Sequence, residues 1–401
     1  MDKGRSAVEP VSDSRPIGRY FALPLAATSV FLMAANGGLA LIVKLFLTSK
    51  GFPPIVIGAV TSVSAIGMIL GSLVWGRLAD RRRRRPLLVI TVLGAAIAVS
   101  VLIILPPPFV VLGSVFVRTF MWIGYATITM AIVSGASAVS RRGRNLSYVT
   151  SARSLGFALG AIASGFVLDR LGFRGAFSVM AGLPLLGIWF LLFLPRREAV
   201  PSQSRERGSW KMAISSGLAD LYLSTFLRQM AIHGTFSLLP IYMASLGIPP
   251  TQMGLVTALN TLTQVAALIG FGRLADLIGR RRIFMAGFAL SAITPCVFTL
   301  ARSAGGMALG YGILGLSFSS LYIGSTAHIG DRVPERRQGA MLGLYETSRG
   351  LGGFVGPLLA GGITPVLGYN GMFFTMAAIA GLGFLVMFVR RALSRPERTR
   401  V

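Results

Sequence analysis

Two arginines stand where an anion could be held in a fixed geometry. Arg118 lies ten residues past Pro108, and Arg228 about twelve residues into an apolar stretch of its own. On a helix those spacings put them ~15 Å and ~18 Å from the start. A guanidinium at such depth costs at least ~2.5–3.5 kcal/mol in a hydrocarbon layer unless it faces water or a partner. Its planar fork fits carboxylate or phosphate in a bidentate manner. The alternative is that either arginine bonds helix carbonyls or a polar neighbour and only shapes a kink. No carboxylate stands beside them: Asp220, Glu346 and Asp169 all fall near the ends of apolar stretches.

Other polar and aromatic residues at comparable depth are candidates for a shared cavity. They are Asn36, Trp122, Tyr125, Gln229, His233, Asn260, Gln264 and Tyr311. His233 can take up a proton near neutral pH, but a single histidine serves equally as a hydrogen-bonding core residue. Cys296 is the only cysteine and His233 and His328 the only histidines, so neither a disulfide nor a metal cluster is expected. There is no phosphate-binding Gly-Lys-Ser/Thr loop and no catalytic set, and we expect neither a cofactor nor an enzyme.

A second kind of feature is a charged phrase that occurs twice. Gly76-Arg77-Leu78-Ala79-Asp80-Arg81 closes on Arg84 and Arg85, and Gly272-Arg273-Leu274-Ala275-Asp276-Leu277 closes on Gly279-Arg280-Arg281-Arg282. A carboxylate at a helix end is tolerable against a positive helix N-terminus or an arginine, and Gly76 and Gly272 let another helix come close. Arg153 and Arg349 also form an equivalent pair, and Glu346 has the (i, i+3) spacing for an ion pair with Arg349. These read as gate or packing elements rather than ligands. Lys44, near the end of the first apolar stretch, is expected to snorkel.

The elements that must position these residues are long apolar helices. Of 401 residues 53% are hydrophobic and only 13% charged, and runs long enough to cross a ~30 Å hydrocarbon core recur throughout. Continuous apolar runs exclude a β-barrel, whose strands alternate. The pattern predicts twelve helices, at 20–48, 54–79, 86–106, 108–137, 146–168, 175–194, 216–245, 251–275, 283–301, 304–328, 340–366 and 371–392. The net charge of +26 is concentrated in both tails and in the even-numbered connections. The positive-inside rule then makes both termini and those connections cytoplasmic, which accounts for the charge without a nucleic-acid partner. The first 19 residues are polar and show no cleavable signal.

Displacing the chain against itself by 196 residues aligns Pro53 with Pro249, Gly58 with Gly254, the whole Gly-Arg-Leu-Ala-Asp phrase, Arg153 with Arg349, Gly160 with Gly356 and Gly172 with Gly368. We expect a tail over 1–19, a six-helix bundle over 20–194, a polar linker over 195–215, a second bundle over 216–392 and a tail over 393–401. An even number of spans gives both bundles the same orientation.

The phrase Gly-x-Leu-Ala-Asp-Arg-x-x-Arg-Arg after the second helix, repeated in part after the eighth, resembles the signature of the major facilitator superfamily of secondary transporters. The resemblance covers about 20 to 392 and implies an all-α fold of two pseudo-symmetric six-helix bundles. It implies that Asp80 docks near the start of helix eleven and Asp276 near the start of helix five, latching one face shut. Arg118 matches part of a helix-four pattern, with Met121 where the family usually has glutamine. Arg83 replaces a usual glycine, kept in the second copy as Gly279, so the first loop is expected to turn less tightly. Ala161 replaces the proline of the family's antiporter pattern on helix five.

By that resemblance the chain is expected to be a secondary transporter of a small solute, driven by protons or another coupling ion. It would sit as a monomer in the cell membrane. The two arginines favour an organic anion. The alternatives are a proton-coupled multidrug exporter, suited by the many Phe and Met residues, and a transporter-like sensor or assembly factor that moves nothing.

Overall fold

A computed structural model describes residues 22–137, 139–194, 217–330 and 333–393. The expected linker and N-terminal tail, and all but the first residue of the C-terminal tail, lie outside them. The chain there is helical. In order come α1 (Ala22–Ser49), α2 (Pro54–Arg81), α3 (Arg84–Ser100, extended by a 3-10 turn Val101–Ile104) and α4 (Pro108–Ala136). The stretch Val139–Leu191 is divided at Gly172 into α5 (139–171) and α6 (173–191). Then come α7 (Ala219–Ser245), α8 (Pro250–Ile278), α9 (Arg280–Leu300) and α10 (Ala304–Gly330). Glu335–Leu393 is divided at Gly368 into α11 (335–367) and α12 (369–393).

Where connections of six and four residues are expected, at 169–174 and 367–370, the structure has one residue in each. Gly172 (φ 62°, ψ −171°) and its equivalent Gly368 (φ 67°, ψ −178°) each reverse the chain alone, in a conformation that costs glycine little. The loops after α2 and α8 differ as expected. Gly279, at φ 92°, joins α8 directly to α9, whereas Arg82 and Arg83 both adopt extended backbone between α2 and α3.

The duplication persists in the packing. Gly156 and Gly160 of α5 lie against the carbonyls of Val30 and Ala34 of α1, and 196 residues on Gly352 and Gly356 of α11 lie against those of Phe226 and Met230 of α7. In each pair no side chain would fit, so backbone meets backbone as small-residue helix interfaces require. The halves meet most extensively in two equivalent places, α2 against α11 and α5 against α8, and also where α1 faces α7.

Those contacts are concentrated at one end. Where α2 and α8 begin, here the proline end, Gly58 faces the Pro357 carbonyl and Gly254 the Ala161 carbonyl. Eighteen residues further, five full turns and so on the same helix face, Gly76 and Gly272 have nothing opposite them. The hydrophobic cores divide accordingly. One core, with Phe46, Ile57 and Phe177 from the first half and Tyr242, Met253 and Phe373 from the second, unites both halves at the proline end. At the arginine end each half keeps its own, around Trp75 and Tyr125 in the first and around Phe284 and Leu344 in the second. The two bundles therefore splay apart at the arginine end.

Candidate functional site

Polar and charged groups from both bundles face the cleft between them. Arg118 of α4 is half-buried and donates from Nη1 to Asn36 Oδ1 of α1. Asn36 is held for this role by its own Nδ2, which donates to the Leu32 carbonyl at 2.9 Å. The Nε of Arg118 is buried and has no hydrogen-bond partner. A buried donor without an acceptor costs about 1–3 kcal/mol, a debt that an incoming acceptor would relieve.

Arg228 is placed differently. It is only 4% exposed and turns into the second bundle, where each nitrogen has a neutral partner. Nε donates to Ser291 Oγ of α9 at 2.9 Å, Nη2 to Ser317 Oγ of α10 at 3.4 Å and Nη1 to Gln229 Oε1 at 2.7 Å. Ser291 and Ser317 also bond each other at 2.6 Å. Gln229 in turn meets His233, Nε2 to Nε2 at 3.0 Å.

The remaining sequence candidates divide between cleft and core. Asn260 and Gln264 of α8 are half-buried, and Asn260 Nδ2 donates to the Tyr311 carbonyl at 3.2 Å. Tyr125 and Tyr311 are fully buried inside their own bundles. The Tyr125 hydroxyl donates to the Leu25 carbonyl at 2.7 Å. Trp122 carries a partner that sequence reading missed, the guanidinium of Arg153, 4.8 Å from its ring centroid. At the equivalent place in the second half the Arg349 guanidinium lies 5.5 Å from the ring of Phe318. Trp122 and Phe318 are themselves 196 residues apart, a signal visible once the repeat is used as a ruler. Arg349 also donates to both oxygens of Glu346, at 2.8 and 3.0 Å.

The arginine end holds the twice-written phrase. Asp80 is exposed and makes no ion pair among the described residues, and the side chains of Asp276 and Arg280 lie outside those described. Arg84 is buried and donates to the carbonyls of Ala79 and Ala131, both at 3.3 Å. It thus serves the electronegative C-terminal ends of α2 and α4.

The proline end is tied by polar bonds between the halves. Ser62 of α2 donates to the Phe354 carbonyl of α11 at 2.6 Å. The Asp169 carboxylate accepts from the backbone N–H of Thr251 at 3.0 Å, at the positive N-terminus of α8. Lys44 does not snorkel. It is 6% exposed, its Nζ donates to the Phe236 carbonyl of α7 at 3.2 Å and lies 5.2 Å from the Phe236 ring centroid. That carbonyl is free because Pro240, four residues on, has no N–H to give it.

Residues 25–220, and again residues 221–401, match the sequence profile of the Major Facilitator Superfamily. The chain belongs to the major facilitator superfamily. It is an integral, multi-pass membrane protein and a transporter of small molecules, not an enzyme. A Haemophilus influenzae protein named for metabolite transport is 26% identical over 361 residues, spanning 85% of this chain and 86% of its own. The multi-drug resistance efflux pump PmrA of Streptococcus pneumoniae is 21% identical over 343 residues, 83% of this chain and 85% of that one. The crystal structure of the nucleoside transporter NupG superposes with a TM-score of 0.75 at 14% identity, covering 94% of this chain and all of the other. That likeness carries the superfamily fold and no substrate.

Proposed function

We propose that this superfamily member carries an organic anion by alternating access, with Arg118 as its principal ligand, and that a proton gradient drives it. The observation that carries the reading is the Arg118 guanidinium. It is anchored on one side by Asn36, has a buried Nε without an acceptor, and has no carboxylate bonded to it among the described residues. Arg153, stacked on the Trp122 ring, adds positive potential along the same cleft, whereas Arg349 is paired with Glu346. The moving units are the two halves, 20–194 and 216–392, and the arginine end faces the cytoplasm by the positive-inside rule. On this reading the molecule is a monomer of the cell membrane caught open to the inside. Asp80 and Asp276 would dock when that side closes.

The test is competition of transport in reconstituted vesicles, with and without a pH gradient, by carboxylates and phosphates against lipophilic cations. Carboxylates should compete, and Arg118→Gln should weaken that competition roughly ten- to hundredfold, the worth of a hydrogen bond to a charged group, at normal membrane yield. Competition by lipophilic cations alone would overturn the anion reading in favour of the second one, a proton-coupled multidrug exporter, which the similarity to PmrA favours.

A further inference from the structure

Arg228, Gln229 and His233 form a chain of hydrogen bonds with only one possible direction. Arginine has donors and no acceptor, so the 2.7 Å contact of its Nη1 fixes the Gln229 carbonyl oxygen toward it. The Gln229 amide nitrogen, a donor, then faces His233 Nε2 at 3.0 Å. That ring nitrogen must accept, and an uncharged imidazole accepting at Nε2 carries its hydrogen on Nδ1.

Arg228 cannot swing out of this arrangement. Its other nitrogens are held by Ser291 and Ser317, and those serines by each other and by the Gly287 carbonyl, at 2.7 and 3.2 Å. Gln229, His233 and Phe236 fall within about 60° of one another on α7. Phe236 is the residue that meets Lys44 of the other half, so this face of α7 is turned toward the first bundle. Gly353 of α11 leaves room for the ring, with Nδ1 at 3.2 Å from where a side chain would begin. Nδ1 has no acceptor among the described residues, and His233 is half-buried.

We propose that Arg228 and Gln229 are positioning residues that lock His233 in its Nδ1–H form, making it a fixed donor for an acceptor oxygen of the substrate. This rests on the anion reading above. Arg228 acts without touching the substrate: it decides which way the glutamine points, and the glutamine decides which way the imidazole points. A carboxylate, phosphate or carbonyl oxygen is accepted at this corner, and an ammonium group is refused.

The experiment is nitrogen-15 NMR of the histidine-labelled full-length protein in lipid nanodiscs without substrate. His328→Gln leaves His233 as the only labelled ring. A pyrrole-type Nδ1 and a pyridine-type Nε2 are expected. In Gln229→Glu both side-chain oxygens accept, so His233 has to donate from Nε2 and the two signals should exchange character. Wild-type protein with the hydrogen on Nε2, or an imidazolium, would overturn the proposal, as would an unmoved tautomer in Gln229→Glu. Size-exclusion elution identical to wild type establishes that the variant is folded.

In the vesicle assay Gln229→Glu should weaken competition by carboxylates about tenfold. Unchanged competition despite an exchanged tautomer would remove His233 from substrate selection and leave Arg118 and the anion reading standing.

Discussion

Arg118 and Arg228 have the same residue type and similar depth, yet their surroundings are opposite in kind. Arg228 has a full set of neutral partners from two neighbouring helices and is part of the second bundle's interior. Lysine has no planar fork and cannot bond Ser291, Ser317 and Gln229 at once. Arg228→Lys should therefore lower thermal stability in detergent by about 1–3 kcal/mol, read as a fall in Tm, whereas Arg118→Lys should leave Tm near wild type and damage transport. Both arginines were legible in the sequence as buried cations without a carboxylate. Their difference was not, because Ser291 and Ser317 are unremarkable residues in α9 and α10 that only tertiary packing brings to the guanidinium. Lys44 was misread for the same reason: snorkelling is what a lysine near a helix end does alone, and its acceptor is created by a proline in a helix almost 200 residues away.

At the scale of elements, nearly every helix was legible from hydrophobic runs. The exceptions are the connections around Gly172 and Gly368, where the helices absorb residues expected in loops. Polarity marks a span boundary, but it does not say that one glycine at positive φ can replace a loop. The glycines of α2 give a paired prediction. Gly58 lies against the Pro357 backbone and Gly76 against nothing. Gly58→Val should lose about 1–3 kcal/mol through overpacking and reduce folded yield. Gly76→Val should fold normally in the observed arrangement but slow turnover, because its face has to meet α11 when the arginine end closes. Equal yields together with equal transport rates would remove both assignments.

Among the described residues the largest core unites both halves at the proline end, and each half keeps a core of its own at the arginine end. Few polar bonds hold the shared end, so their removal should shift the balance between states. With spin labels at Lys50→Cys and Ser245→Cys, both exposed, in a Cys296→Ser background, pulsed electron resonance reads the distance across this end. Lys44→Met and Asp169→Asn should each raise the ratio of long to short distances roughly ten- to hundredfold, since a charge-assisted hydrogen bond contributes about 1.5–3 kcal/mol. A distance distribution identical to that of the labelled parent would mean that these bonds follow closure without favouring it. The duplication behind this architecture was fully legible in the 196-residue offset. Which end is shut was not, because each end carries its own motif repeated in both halves, and neither motif says which pair is in contact.

The single-glycine joints have a mechanical consequence. With no slack between α5 and α6 or between α11 and α12, each pair is a bent lever whose arms cannot drift independently. Because α2 meets α11 at the proline end and parts from it at the arginine end, prying them apart at the first would swing them together at the second. On the proposed alternating-access reading, such a see-saw floods one vestibule at a time. Ionic leak would then be prevented by the coupled swing of the two bundles, with no separate plug required.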